Sequence, residues 1–266
     1  MSTFRDALAA AEAPLVGLWN ASGSAVAAEI MAGSGADLLL IDGEHGPITV
    51  SELLPILQAA AAYPVTTLVR VPWNDPVVIK QVLDVGAQNL VVPMVSTADE
   101  ARAAVRAARY PGGAGEREGA RGIGSALARS SRWGRIQGYV GEADRHVSVT
   151  VQIETADAAA NAAEIAAVDG VDAVFIGPAD LAGSMGHPGD PSAPAVVDAV
   201  DATIAAVRSA GTPVGVNAFA PADADRCIER GAAFVFVSAD VTLMARGSEA
   251  AVARLQQQQR AQADSY

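Results

Sequence analysis

One lysine, one cysteine and three histidines are all that this chain of 266 residues offers of the usual nucleophiles and soft metal ligands. Lys80 sits in DPVVIKQVLDVG, a stretch with helical spacing of its apolar residues. An enzyme that forms a Schiff base on a barrel normally projects its lysine from a strand, and no strand candidate here has one. If the chain activates a carbonyl compound, it does so with a metal. Cys227, in ADADRCIERG, reads as a packed helical residue, so neither a disulfide framework nor a cysteine metal cluster is available. There is no GxGxxG after the first strand, no GxSxG elbow, and no run of about 18 apolar residues that could span a membrane. The formal charge is -12, which argues against nucleic acid or an anionic membrane as a partner. The opening MSTFRDALAAAEAP carries Arg5, Asp6 and Glu12 within its apolar stretch and reads as an amphipathic helix, not a signal peptide. A cytoplasmic setting is the resulting expectation.

Glycine followed at once by an apolar strand recurs along the chain. GADLLLID begins at Gly35, GAQNLVVP at Gly86, GVDAVFIG at Gly170 and GAAFVFVS at Gly231. Each glycine falls where a helix should end in a left-handed cap. Continuous apolar strands of this kind suit a parallel sheet buried on both faces. LVGLW, TTLVR, SVTVQI and PVGVN lie between them and bring the strand candidates to eight. The intervening segments, such as SELLPILQAAAA and DAAANAAEIAAVDG, have helical periodicity, and several open on Ser, Thr or Asp. Eight alternating units predict a (β/α)₈ TIM barrel in one domain, residues 1–266, with a polar tail over 254–266. One interval is irregular: YPGGAGEREGARGIGSALARSSRWG, residues 110–134, reads as a long loop.

In a barrel of this class the loops after the strands carry the site. The strand ends place Trp19 and Asn20, then Asp42, Glu44 and His45, then Arg70, then Gln152 and Glu154, then Gly177, Pro178, Ala179 and Asp180, and then Asn217. Polar groups thus cluster at one set of strand ends. Glu154 and Asp180 are the best metal pair, and carboxylates without cysteine point to a hard cation such as Mg²⁺ or Mn²⁺. A strand terminus and a helix cap are the plain alternatives for these acids. His45 is a candidate acid/base that Asp42 could orient. Arg70, the last residue of an apolar strand, needs an anion: Asp42, Glu44, or a substrate carboxylate or enolate.

GLWN, LLLIDGEHGP, VRVPWNDPVVIKQVLDVGAQNLVVPMV, RGIGSALARSSRWGR, VQIET and VFIGPADLAGSMG together resemble the metal-dependent class II pyruvate aldolases. These form the 4-hydroxy-2-oxoheptane-1,7-dioate aldolase group of the aldolase/citrate-lyase superfamily. The resemblance runs from about Gly17 to about Arg246. It implies a homohexamer, a trimer of dimers, with the last helix exchanged between subunits. It implies a divalent cation (Mg²⁺ or Mn²⁺, with Co²⁺ or Zn²⁺ as alternatives) on Glu154 and Asp180, and a 2-oxo acid chelating it. Pyruvate or hydroxypyruvate is the expected nucleophile and an aldehyde the acceptor. By the same resemblance, Arg70 stabilises the enolate, and Gln152 and Trp19 border the oxo acid. Backbone N–H groups of Gly177 to Ala179 hold its carboxylate, and His45 with Asp42 moves protons. Asp84 matches an aspartate that the family contributes across a subunit interface; on its own it reads as a helix-end residue. The charged insert GGAGEREGA departs from the family pattern and leaves the acceptor open.

A lyase acting on a CoA thioester would need a basic surface, and the arginines of residues 117–135 are the one cluster. A phosphoenolpyruvate enzyme would need more cationic ligands than Arg70 and those arginines. A barrel that binds a metal without turnover is the alternative from another class.

Overall fold

A computed structural model describes residues 3–112 and 118–263. Eight strands form a closed parallel barrel in sequence order: β1 (Leu15–Asn20), β2 (Leu38–Asp42), β3 (Thr66–Arg70), β4 (Asn89–Val92), β5 (Ser148–Ile153), β6 (Ala173–Ile176), β7 (Val214–Asn217) and β8 (Phe234–Ala239), with β8 paired back to β1. The expected barrel is therefore the one observed. TTLVR and SVTVQI coincide with β3 and β5. Gly35, Gly86, Gly170 and Gly231 all have left-handed φ, between 89° and 103°, as their place before a strand requires.

Strand parity decides what faces the axis. On β2, Leu38 and Leu40 point inward with Leu68 of β3, Phe175 of β6 and Phe234 and Phe236 of β8, while Leu39 and Ile41 join the layer beneath the helices. The helix Phe4–Ala10 closes the end where the strands begin. Phe4 is fully buried, its ring lies edge-on to Phe234 at 5.0 Å, and its N–H donates to the Asn89 side chain at 2.7 Å. Glycines give the large rings their space. A Cβ on Gly17 would come within 2.4 Å of the Phe236 ring, and one on Gly215 within 2.2 Å of the Phe234 ring.

Three segments differ from expectation. DAAANAAEIAAVDG does not form one helix: it breaks at Asn161 into Ala156–Ala160 and Ala162–Ala166, with the Asn161 amide donating to Ser96 O at 2.9 Å. The long loop contains two 3₁₀ turns, Ser125–Leu127 and Arg129–Ser131, and a short helix, Tyr139–Glu142, follows it; residues 113–117 of its charged insert lie outside the described residues. The expected polar tail belongs to the last helix, Asp240–Ala263, and residues 264–266 lie outside the described residues. Among the described residues no helix is long and apolar enough to cross a membrane.

The ring contact at Gly215 yields a stability prediction. Gly215→Ala forces the Phe234 ring from its place in a filled core, at a cost of about 1–3 kcal/mol. Urea denaturation should show a lower midpoint with unchanged slope; an unchanged midpoint would mean that the barrel interior is loosely packed.

Candidate active site

The inward parity that carries leucine and phenylalanine through the barrel carries polar groups at the last inward position. Leu40 is followed by Asp42, Leu68 by Arg70, Thr150 by Gln152 and Gly215 by Asn217. These end in a cavity of ≈270 Å³ at the C-terminal ends of the strands, bordered by Trp19, Asp42, Arg70, Gln152, Asp180 and Asn217.

Arg70 is the centre of this arrangement and is 5% exposed. Asp42 and Arg70 are register partners on β2 and β3. Arg70 Nε donates to Asp42 Oδ1 and Nη2 to Oδ2, both at 2.9 Å, a two-point fork that lysine could not make. Nη1 pairs with Glu44 Oε2 at 2.9 Å. The guanidinium also lies 4.6 Å from the Trp19 ring centre. Trp19 is held in turn by Phe175 and Phe236, and its indole N–H donates to Asn217 Oδ1 at 2.9 Å. Glu44 sits in a contest of influences: burial raises its pKa above the ordinary value, Arg70 lowers it, and Asp42 and Asp180 raise it.

Glu154 is 1% exposed. Oε1 accepts the Met94 N–H at 2.7 Å, and Oε2 accepts from the Gln152 amide. Burial pushes its pKa up to about 7; the Met94 N–H opposes this, while Glu44 and Asp180 add to it and Arg70 opposes. Met94 delivers that N–H from a left-handed backbone, φ 56°, which is unusual outside glycine. Gly177 packs against the same two side chains: a Cβ there would fall 2.9 Å from both Gln152 Nε2 and Glu154 Oε2. Asp180 is exposed in the first turn of the helix Pro178–Ser184 and acts on both Glu44 and Glu154 through its charge.

The structure therefore gathers Trp19, Asp42, His45, Arg70, Gln152, Gly177, Pro178, Ala179 and Asp180 around one cavity, with Glu154 behind it. Asp84 is not among them. It ends the helix Pro76–Asp84 near the opposite end of the barrel, paired with Arg121 at 2.8 Å. Asp42 meets His45 only through the backbone, accepting its N–H at 3.3 Å, because both carboxylate oxygens already serve Arg70. His45 itself stands exposed at the rim. Of the N–H groups expected to hold a carboxylate, that of Gly177 donates to Ile153 O at 3.1 Å and Pro178 has none, which leaves Ala179. Met94, Phe175, Phe219 and Val241 escaped the sequence reading. Nothing in PMV marks a backbone donor, and apolar residues at a cavity mouth look like any others.

An eight-stranded parallel barrel whose strand ends present a guanidinium, buried carboxylates and a histidine has the groups of a barrel-enzyme active site at the face where such sites lie. Comparison with known proteins narrows this. Residues 15–247 match the HpcH/HpaI aldolase/citrate lyase family, and the chain is a member of it. It is 51% identical over 253 residues, 95% of this chain and 94% of the relative, to a 4-hydroxy-2-oxo-heptane-1,7-dioate aldolase of Salmonella arizonae. Among solved structures it is similar to an HpcH/HpaI aldolase/citrate lyase family protein of Burkholderia cenocepacia, with TM-score 0.90 and 38% identity over 95% of this chain and 98% of that one. An HpcH/HpaI aldolase of Desulfitobacterium hafniense aligns with TM-score 0.85 and 28% identity over 96% and 97% of the two chains.

Removing the guanidinium should unsettle the whole cluster. Arg70→Met leaves Asp42 and Glu44 without their cation and should cost about 3–5 kcal/mol in urea denaturation, whereas the double variant Arg70→Met, Asp42→Leu should recover part of the loss. Equal losses in the two would show that the pair is not coupled.

Proposed function

We propose that this chain is a class II aldolase that converts a pyruvate-type 2-oxo acid into its enolate and adds it reversibly to an aldehyde, cleaving 4-hydroxy-2-oxo acids in reverse. The observation that carries the reading is the convergence of Arg70, Gln152, Glu154 and Asp180 at the end of one barrel, in a chain half identical to a curated aldolase of that type.

The residues fit a divalent cation. Glu154 is a buried carboxylate whose charge lacks a buried cationic partner of its own: Arg70 is taken by Asp42 and Glu44, and the bonds to Glu154 come from an amide and a backbone N–H. Its raised pKa is what burial beside Glu44 and Asp180 produces, and a cation would reverse it. Among the described residues no group of three or more potential protein ligands is preassembled, so Glu154 and Asp180 would hold the ion and leave its other positions to water or substrate oxygen. When bound, the cation would offset the negative charge that develops on the keto oxygen.

The side chains supply the rest. Arg70, fixed by Asp42, Glu44 and Trp19, presents positive charge to the same oxygen without having to reorganise. Gln152, held by Glu154, borders the bound acid, and the Ala179 N–H is free to meet its carboxylate. His45, exposed at the rim, is the group for exchanging a proton with the methyl carbon or the aldol hydroxyl. Phe175 and Trp19 keep water from the inner wall. The last helix leaves Val241, Leu243, Met244, Val252 and Leu255 exposed, which supports exchange of that helix within a hexamer, with Asp84 serving a neighbouring subunit. The chain's lack of a spanning helix among the described residues accords with a cytoplasmic setting.

The decisive experiment is loss of the pyruvate methyl proton signal in D₂O, followed by NMR with Mg²⁺ or Mn²⁺ and again with chelator. Exchange should need both protein and metal. Glu154→Ala or Asp180→Ala should slow it by about a hundredfold or more while circular dichroism stays unchanged. His45→Gln should slow it by about 10²- to 10⁴-fold. Full exchange in the carboxylate variants would remove the metal from this reading, and no exchange with pyruvate or hydroxypyruvate under any metal would remove the reaction.

A further inference from the structure

A larger cavity, of ≈740 Å³, lies at the other end of the barrel, where β3 and β4 begin at Thr66 and Asn89. Its charge is one-sided. Arg129, Arg132, Arg135 and His146 line it, and no aspartate or glutamate does, in a chain with 30 acids to 18 bases. None of the three arginines makes an ion pair among the described residues. Arg129 is half-buried and Arg132 and Arg135 are exposed, and an anion among them would offset their mutual repulsion.

The arginines are presented by a built loop. Arg129 lies against Gly86, where a Cβ would fall 2.5 Å from its Nη1, and that nitrogen donates to Val85 O at 3.2 Å. Burial lowers the Arg129 pKa and the neighbouring charge of Arg132 lowers it further. Ser131 pins the turn, its hydroxyl bonding Ser125 O and accepting the Gly134 N–H at 2.8 Å. Arg132 and Trp133 are consecutive non-glycine residues in the left-handed region, φ 53° and 55°, a strain that clusters at functional sites. Ser130 Oγ is buried with no hydrogen-bond partner.

We propose that this cavity is a second ligand site, for an organic phosphate whose phosphate group meets Arg129 and Arg132 while its apolar or ring-bearing body lies against Leu57, Val65 and Ile136. The volume is that of a small-molecule site. Guanidinium forks suit phosphate oxygens, and several unpaired cations favour a dianion over a monoanion. The inference does not rest on the aldolase reading.

The test is calorimetric titration of the full chain with phenyl phosphate in the presence of chelator, with inorganic phosphate and benzoate in parallel. Phenyl phosphate should bind once per chain, and benzoate about tenfold or more weakly. Arg129→Gln with Arg132→Gln should weaken phenyl phosphate about tenfold or more. Arg129→Lys with Arg132→Lys should fall between, which separates lost charge from a misfolded loop. Absence of binding, equal binding by the Gln variant, or displacement by saturating pyruvate would overturn the proposal. Equal binding of benzoate would overturn the phosphate class, and loss of self-association in the Gln variant without any ligand effect would assign this face to a second copy of the chain.

Discussion

A guanidinium buried at the end of a β-strand must be surrounded by charge, and most of what is distinctive at the C-terminal end of this barrel follows from that need. The register of β2 against β3 sets Asp42 opposite Arg70 and makes the two-point pair possible. The loop after β2 then folds back so that Glu44 takes the remaining nitrogen, and the Asp42 carboxylate also accepts the Glu44 and His45 N–H groups. One ion pair therefore fixes a strand register, the course of a loop and the position of the rim histidine. Trp19 covers the flat side of the guanidinium and is itself locked to Asn217 across the barrel mouth, so β1 and β7 join the same arrangement. The desolvation cost of burying Arg70 is offset by these partners, which fix the guanidinium at the edge of the cavity.

The barrel was legible because its signals are repetitive and mutually consistent. Glycine stops, buried strands and amphipathic helices alternate through the chain, and each local preference agrees with the global closure. The polar strand ends were legible for the same reason, since parity and strand boundaries together say which side chain reaches the mouth. What escaped the sequence were pairings decided by competition. Asp42 could have oriented the His45 ring or held Arg70; the register gives both of its oxygens to Arg70. Gly177 could have offered its N–H to a ligand, but the ladder to Ile153 takes it. Met94 became a donor to Glu154 through a backbone conformation that its side chain does not announce. Asp240, which the sequence analysis did not single out, gathers Asn20, Ala21 and Ser22 and ties the end of β1 to the start of the last helix.

The acids of the mouth have a cumulative effect that no single residue explains. Asp42 and Glu44 balance Arg70 and leave a net negative charge before Glu154 and Asp180 are counted. Carboxylates held this close in a poorly solvated site favour either a proton or a cation. The same field would repel an anionic oxo acid unless a cation intervened. On the proposed reading, a cation and the oxo acid would therefore bind interdependently. Arginine at position 70 serves because its charge stays in place at any working pH, where a lysine could lose its proton.

The two ends of the barrel are separated by a plug of aromatic rings. Phe4, Phe175, Phe234 and Phe236 pack face and edge between them, with glycines at positions 17 and 215 letting the rings fill the axis. β3 nonetheless runs from one cavity to the other, from Thr66 to Arg70, a span of roughly 13 Å at about 3.3 Å per residue. Asn89, bonded to the Phe4 N–H, and Thr150 are polar groups packed among these rings, and the rest of the plug is apolar. The two ends also share elements of backbone. The helix Pro76–Asp84 is such an element, because it descends from the loop after Arg70 and ends at Asp84, in contact with Arg121 and one residue before the Val85 carbonyl that binds Arg129. Two arginines of the long loop thus hold the end of this helix, Arg121 through a carboxylate and Arg129 through a carbonyl, and the arginine-lined cavity is built on the same backbone that leads back to Arg70.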